Sequence, residues 1–162
     1  MDELQFLEAE PGKTELLVIN ASKNTWSDLY WPAKLGCSPS PVPAVKSLGL
    51  VIDAGLTMVK QVATVCRSCF GMLQKLCRLA PLLLPATLRS IVLATIISHL
   101  DYGNALYAGI TNQLMHRLQT IQNDAARLIF KAPRSTRASP LLRKLHSLPI
   151  AQRVSFKVMC LA

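Results

Sequence analysis

Five cysteines, three histidines and nine acidic residues are the groups of this 162-residue chain best suited to metal, nucleophilic or acid–base chemistry. Cys66-Arg67-Ser68-Cys69 is a CxxC. Zinc takes four ligands, and no second CxxC or paired histidine follows at ligand spacing. A thioredoxin-type pair needs a βα setting; on a helix the two thiols share one face and read as core. His99, His116 and His146 each stand apart from any Cys or Ser that could complete a catalytic set. After residue 50 the acids are Asp53, Asp101 and Asp124. No two are adjacent at a strand end, as a two-metal polymerase or nuclease site requires. No P-loop, GxGxxG or GxSxG is present. Asp101 and Asn104 read as a helix cap or an interhelical hydrogen bond.

The basic residues carry more information. Arg117, Arg127, Lys131, Arg134, Arg137, Arg143, Lys144, Arg153 and Lys157 crowd the last third of the chain. Lys131, Arg134 and Arg137 share a loop with Ser135 and Thr136. That mixture suits phosphate contacts, which give affinity without reading sequence. Few aromatics interleave, so stacking on single strands is not indicated. The same charges would also serve as an ordinary solvated face.

Charge is unevenly spread. Residues 1–50 hold four basic and six acidic residues, whereas residues 51–162 hold fourteen basic and three acidic. The whole chain carries +9, a balance that points to a polyanionic partner. Hydrophobic residues make up 51% and charged residues 17%, which excludes wholesale disorder. The odd cysteine count has no framework spacing and reads as reduced thiols in an intracellular chain, nuclear or cytoplasmic. The N-terminus lacks a basic n-region followed by an apolar run. Leu79 to Ser98 is the most membrane-like stretch, but Pro81, Pro85 and Arg89 interrupt it, so a buried helix is expected and no membrane partner.

The elements that must position these residues follow from periodicity. Thr14 to Ile19 is a short β-type run, and Val45 to Ile52 reads as a second strand interrupted by Gly49. Between them, residues 20–43 contain Pro32, Pro39, Pro41 and Pro43 and read as an irregular insert holding Trp26, Tyr30 and Trp31. Helical spacing takes over after Gly55. One amphipathic helix is expected over about 57–79, and Thr87 to Tyr107 is apolar nearly all round, as a central helix would be. Another helix is expected over Thr111 to Phe130, with Thr111 as N-cap. A short helix over Pro140 to His146 is expected, capped by Ser139. Pro149 opens a last helix from Ile150 that is still periodic at Ala162, so truncation inside an element is expected. Residues 1–56 and 57–162 form the two parts.

Five ordered blocks resemble one family: Lys13-Thr14-Glu15-Leu16-Leu17-Val18; Val45-Lys46-Ser47-Leu48-Gly49-Leu50-Val51-Ile52-Asp53; His99-Leu100-Asp101-Tyr102-Gly103-Asn104-Ala105-Leu106-Tyr107; Leu118-Gln119-Thr120-Ile121-Gln122-Asn123-Asp124-Ala125-Ala126-Arg127; and Leu145-His146-Ser147-Leu148-Pro149-Ile150 with Arg153, Phe156 and Lys157. Together they resemble the C-terminal part, late palm and thumb, of the reverse transcriptase of LINE-type (non-long-terminal-repeat) retrotransposons in the jockey-like superfamily. The resemblance implies that Lys13 matches a late-palm lysine near the incoming nucleotide. It implies that Leu48 and Gly49 match the hairpin that grips the primer. It also implies that the helical remainder matches the thumb holding a template–primer duplex by its backbone. Ser147 stands where the family commonly has Trp. The family's Tyr/Phe-Ala-Asp-Asp turn and its further Asp are missing here, and without those carboxylates magnesium is not held.

The expected fold is α+β, mostly α: a short two-stranded piece followed by a thumb-like bundle of four to five helices. The expected function is a catalytically inert remnant of an RNA-directed DNA polymerase, without cofactor. It would retain nonspecific affinity for the backbone of an RNA–DNA hybrid or duplex through Arg127, Lys131, Arg134, Arg137, Arg143 and Lys144. The alternatives are a helical module for a protein partner and a translated remnant with no function.

Overall fold

A computed structural model describes residues 15–19 and 41–161. Lys13, the aromatics of the insert and residues 20–40 lie outside the described residues. The chain is mostly helical, with one two-stranded antiparallel sheet followed by about five helices. It divides into two compact units between Thr57 and Met58.

In the first unit, strands β1 (Ala44–Ser47) and β2 (Leu50–Asp53) pair in the register Ala44↔Asp53 to Ser47↔Leu50. Residues 45–52 are therefore a hairpin with its turn at Leu48 and Gly49, where the resemblance implied one, and not the single interrupted strand that the residue pattern suggested. Leu48 and Gly49 form its two-residue turn with φ of 48° and 80°. Two successive positive φ values are the mark of a type I′ turn, whose twist matches that of the flanking strands. Glycine does not mark a bulge here; it supplies the left-handed second turn position. Of the Thr14–Ile19 run, the described residues 15–19 contribute one parallel bridge, Leu16 to Pro41, in place of a strand. After the hairpin, Asp53 Oδ2 accepts from the Thr57 amide at 3.0 Å and from its hydroxyl at 2.7 Å.

The second unit is helical. It comprises α1 (Val59–Leu79), α2 (Pro85–Val92), a π-helical stretch (Leu93–Ile97), α3 (Ser98–Asp101), α4 (Asn112–Ile129), α5 (Ala138–Lys144) and α6 (Ile150–Leu161). Its hub is α4, which packs against α1, α2, α5 and α6. The 87–107 segment was expected to be apolar nearly all round; its helical part buries one stripe, Leu88, Val92, Ile96 and Leu100, followed by Asn104 and Tyr107, and leaves Leu93 on the exposed side. Its opposite side carries Thr87, Arg89, Ser90, Ser98 and His99, polar residues that belong on a solvated face. Val62 and Cys69 of α1, Leu118 and Ile121 of α4, and Tyr107 complete the fully buried centre.

Two helices close without a glycine: α4 ends within one residue of the expected Phe130, and α5 ends two residues before the expected His146. After α4, the Lys131 amide bonds to Leu128 O at 3.1 Å and the Ala132 amide to Arg127 O at 2.9 Å. After α5, His146 bonds to Arg143 O and Ser147 to Leu142 O, both at 3.0 Å. Both are Schellman closures, whose left-handed residue is usually glycine. Here Lys131 and His146 take that place at φ of 49° and 51°. Ala132 then packs on Ala126, Leu141 and Leu142. At the other ends, Thr111 occupies the N-cap of α4 but makes no side-chain cap bond. Arg137, not Ser139, is the N-cap of α5, so that helix starts earlier than expected. Pro140 is accommodated because first-turn amides have no intrahelical partner.

A β-carbon at a left-handed position costs about 1–2 kcal/mol, partly offset by the entropy of a new glycine. Lys131→Gly is therefore expected to raise stability by about 0.5–1 kcal/mol, read as a higher denaturant midpoint, whereas Lys131→Ala is expected to leave it unchanged. A lower midpoint for the glycine variant would contradict the strained closure.

Candidate nucleic-acid interface

The centre of the site is the turn 145–149, which joins α5 to α6. Gln122 of α4 is 1% exposed and spends its amide on this turn. Its Nε2 donates to Leu148 O at 2.8 Å and to Ser147 Oγ at 3.1 Å, while its Oε1 accepts from Gln119 Nε2 at 2.8 Å. Gln119 Oε1 in turn accepts the Ile150 amide at 2.9 Å. Thus α4 caps the first amide of α6, one of the donors a helix cannot satisfy internally. From the other side Arg153 of α6 donates Nε to Leu148 O at 3.1 Å and an Nη to Ser147 Oγ at 3.2 Å. Its other Nη pairs with Asp101 of α3. Asn104 Nδ2 reaches Asp101 Oδ1 at 3.3 Å. The Asp101–Asn104 pair therefore does join an interhelical network, as one of the two expectations had it.

Sequence reading missed the two glutamines. Gln122 follows Leu118 by four residues, on the apolar stripe of α4. A polar residue in such a place must find partners, and that was the available signal. Ser147 also has a use that its size did not announce: its hydroxyl accepts from both Gln122 and Arg153.

The basic candidates surround this turn. A cleft of about 890 Å³ between α4, α5 and α6 has Arg127, Arg137, Arg143 and His146 on its walls. A second cleft of about 500 Å³, between α1 and the end of α4, is lined by Arg78, Arg127, Lys131 and Arg134. Arg127 separates the two. It is half-buried, with Nη1 on Asp124 Oδ1 at 2.8 Å and Nε on Thr136 O at 3.1 Å. Its place is therefore that of a strut under the 131–137 loop, with part of its donor set already used. Arg134, Arg137, Arg143 and Lys131 are exposed, and Lys144 is exposed outside both clefts. In the other unit, Leu48 and Gly49 sit at the hairpin tip, with Leu48 86% exposed.

The electrostatics of the helical unit are one-sided. Residues 58–161 contain fourteen Lys and Arg but only two acids, Asp101 and Asp124. Each acid is paired with an arginine, Asp101 with Arg153 and Asp124 with Arg127. Twelve cations therefore have no acidic side chain of their own unit to pair with.

The CxxC is part of the core. Cys66 and Cys69 are buried. Burial pushes both thiols up, Cys69 to about 11 with Cys66 adding to the rise, while Arg117 opposes it at Cys66. Burial also raises Tyr107, with Gln61 beside its hydroxyl opposing. Among the described residues no three His, Cys, Asp or Glu side chains gather as a metal group, and no helix is long and apolar enough to cross a membrane. Comparison with family models, curated proteins and solved structures finds no match.

Two outcomes follow. Gln122→Leu is expected to cost about 1–3 kcal/mol, because it strands buried partners, while Gln113→Leu on the exposed face of α4 is expected to stay within about 0.5 kcal/mol. Equal denaturant midpoints for the two would refute the clamp. For the thiols, the folded state favours the neutral form, so stability is full below the ordinary value of 9.0 and is lost as pH climbs towards about 11. Alkylation at pH 7.5 with peptide mapping is expected to label Cys77 and Cys160 first, and Cys66 and Cys69 only under denaturant.

Proposed function

We propose that this chain is a catalytically inert remnant of a LINE-type reverse transcriptase whose helical unit holds the backbone of an RNA–DNA hybrid or duplex without reading sequence. The observation that carries the reading is electrostatic: both acids of the helical unit are consumed by arginines, and exposed Lys131, Arg134, Arg137, Arg143 and Lys144 follow one another around the α4–α5–α6 junction. Excess fixed positive charge attracts phosphates through counterion release.

A second observation supports the family part of the reading. Three of the five blocks that carry the resemblance meet in one hydrogen-bonded network, through Asp101 and Asn104, Gln119 and Gln122, and Ser147 with Arg153. Residues far apart in sequence that share one buried network behave as a unit. The polymerase carboxylates are missing from the sequence, so primer extension with Mg²⁺ or Mn²⁺ is expected to yield no product. A protein-interaction role is the second reading, favoured by Phe156, Met159 and Leu161 on the exposed side of α6.

The test is fluorescence anisotropy of the full chain with a labelled RNA–DNA hybrid across a salt titration. Binding is expected to weaken steeply with salt. Lys131→Ala, Arg134→Ala and Arg137→Ala together are expected to lower the slope of log K against log salt by about 2–3. No binding at low salt from a folded sample refutes the proposal; a protein partner retained at high salt would support the second reading.

A further inference from the structure

We propose that the cleft between α4, α5 and α6 binds one nucleoside phosphate, either a free mononucleotide or the phosphorylated end of a strand. This goes beyond nonspecific backbone contact, because it places a single phosphate and its base in a cleft open on one side instead of along a flat surface.

Three features converge on that ligand. The first is charge. Arg137 and Arg143 line the cleft with His146, and the cleft lining contains no Asp or Glu. Neither arginine side chain has a hydrogen bond or ion pair among the described residues. Arg127, the one partly neutralised cation there, holds the loop that presents Arg137 by bonding Thr136 O. Planar guanidinium groups are suited to phosphate oxygens.

The second feature is size. A volume of about 890 Å³ is far more than an inorganic phosphate fills, and it falls within the range of small-molecule sites. The third is the character of the remaining wall. Leu142, Leu148 and Pro149 supply apolar surface, and Asn123 and Gln152 supply amides. Asn123 Oδ1 is taken by Gln119 Nε2, which leaves its Nδ2 to donate. A cationic wall, an apolar wall and side-chain amides together answer the phosphate, the faces and the edge of a nucleotide. The walls are also held in place: the Gln122 and Arg153 bonds fix the turn carrying His146 to Pro149, so little ordering is needed on binding.

The experiment is isothermal titration calorimetry of the full chain with AMP, adenosine and inorganic phosphate as separate probes. AMP is expected to bind at least tenfold more tightly than either of the others. Arg137→Ala and Arg143→Ala are each expected to weaken AMP by about ten- to a hundredfold, the worth of a charged hydrogen bond. Arg143→Lys is expected to recover part of the loss, and Arg89→Ala, outside the cleft, to change nothing. Circular dichroism is expected to show all variants folded, since the substituted side chains are exposed.

A second arm compares 5′-phosphorylated and 5′-hydroxyl oligonucleotides. A preference for the phosphorylated form assigns the cleft to strand ends; AMP binding without such a preference assigns it to free nucleotide. Absence of AMP binding at millimolar concentration overturns the proposal, as does AMP binding indifferent to Arg137 and Arg143. Hybrid binding that persists in either case would leave the surface-binding reading standing, so the two can fail separately.

Discussion

The amide of Gln122 is shut away from water, and its hydrogen bonds tie the α5–α6 turn to α4. One donor bond holds the carbonyl of Leu148, another holds the hydroxyl of Ser147, and the acceptor is filled by Gln119. An unpaired buried amide costs more than the bonds themselves return, so the position of the α5–α6 turn is dictated as much by penalty as by attraction. Almost everything of functional interest hangs on that turn. It sets the start of α6, the reach of Arg153 towards Asp101 and the walls of the larger cleft.

This arrangement also explains how so basic a unit can be compact. Twelve cations without acidic partners repel one another, and surface ion pairs would have done little to relieve that. Helical packing does the work instead: α4 offers an apolar stripe to four neighbouring helices, and the two available carboxylates sit where arginines are partly buried. The remaining positive charges are left at the rims, where water screens them.

How far the sequence could be read depended on the length scale of the signal. The long helices α1 and α4 were legible because Val62, Val65, Cys66, Cys69, Leu73 and Leu76, and likewise Leu114, Leu118 and Ile121, repeat at helical spacing over several turns. The hairpin was not legible from the residue pattern, because the run over 45–52 hides a turn in which leucine takes a place that favours asparagine; a turn at Leu48 and Gly49 was expected only through the family resemblance. Helix ends at Lys131 and His146 carried no glycine to mark them. The loop cluster of basic residues was visible as charge, but its division into two clefts by Arg127 was not, since that depends on Asp124 and Thr136 coming close in space. The clamp was legible only as an anomaly, a glutamine where the α4 stripe called for an apolar side chain.

The π-helical stretch at Leu93–Ile97 gives the second long apolar segment a reserve of length. A π-bulge is an α-helix carrying one residue more than its turns require. Deleting a residue there would let the backbone close into regular helix with the downstream side chains kept close to their present facing, whereas the same deletion in regular helix would turn everything beyond it by about 100°, one residue's share of a 3.6-residue turn. The surplus residue thus acts as a phase adjuster. It lets the stripe Leu88, Val92, Ile96 and Leu100 recur every four residues and still face inward, although an ideal helix would carry such a stripe steadily round its axis. A single-residue deletion is accordingly better tolerated in this short stretch than in the regular turns on either side of it.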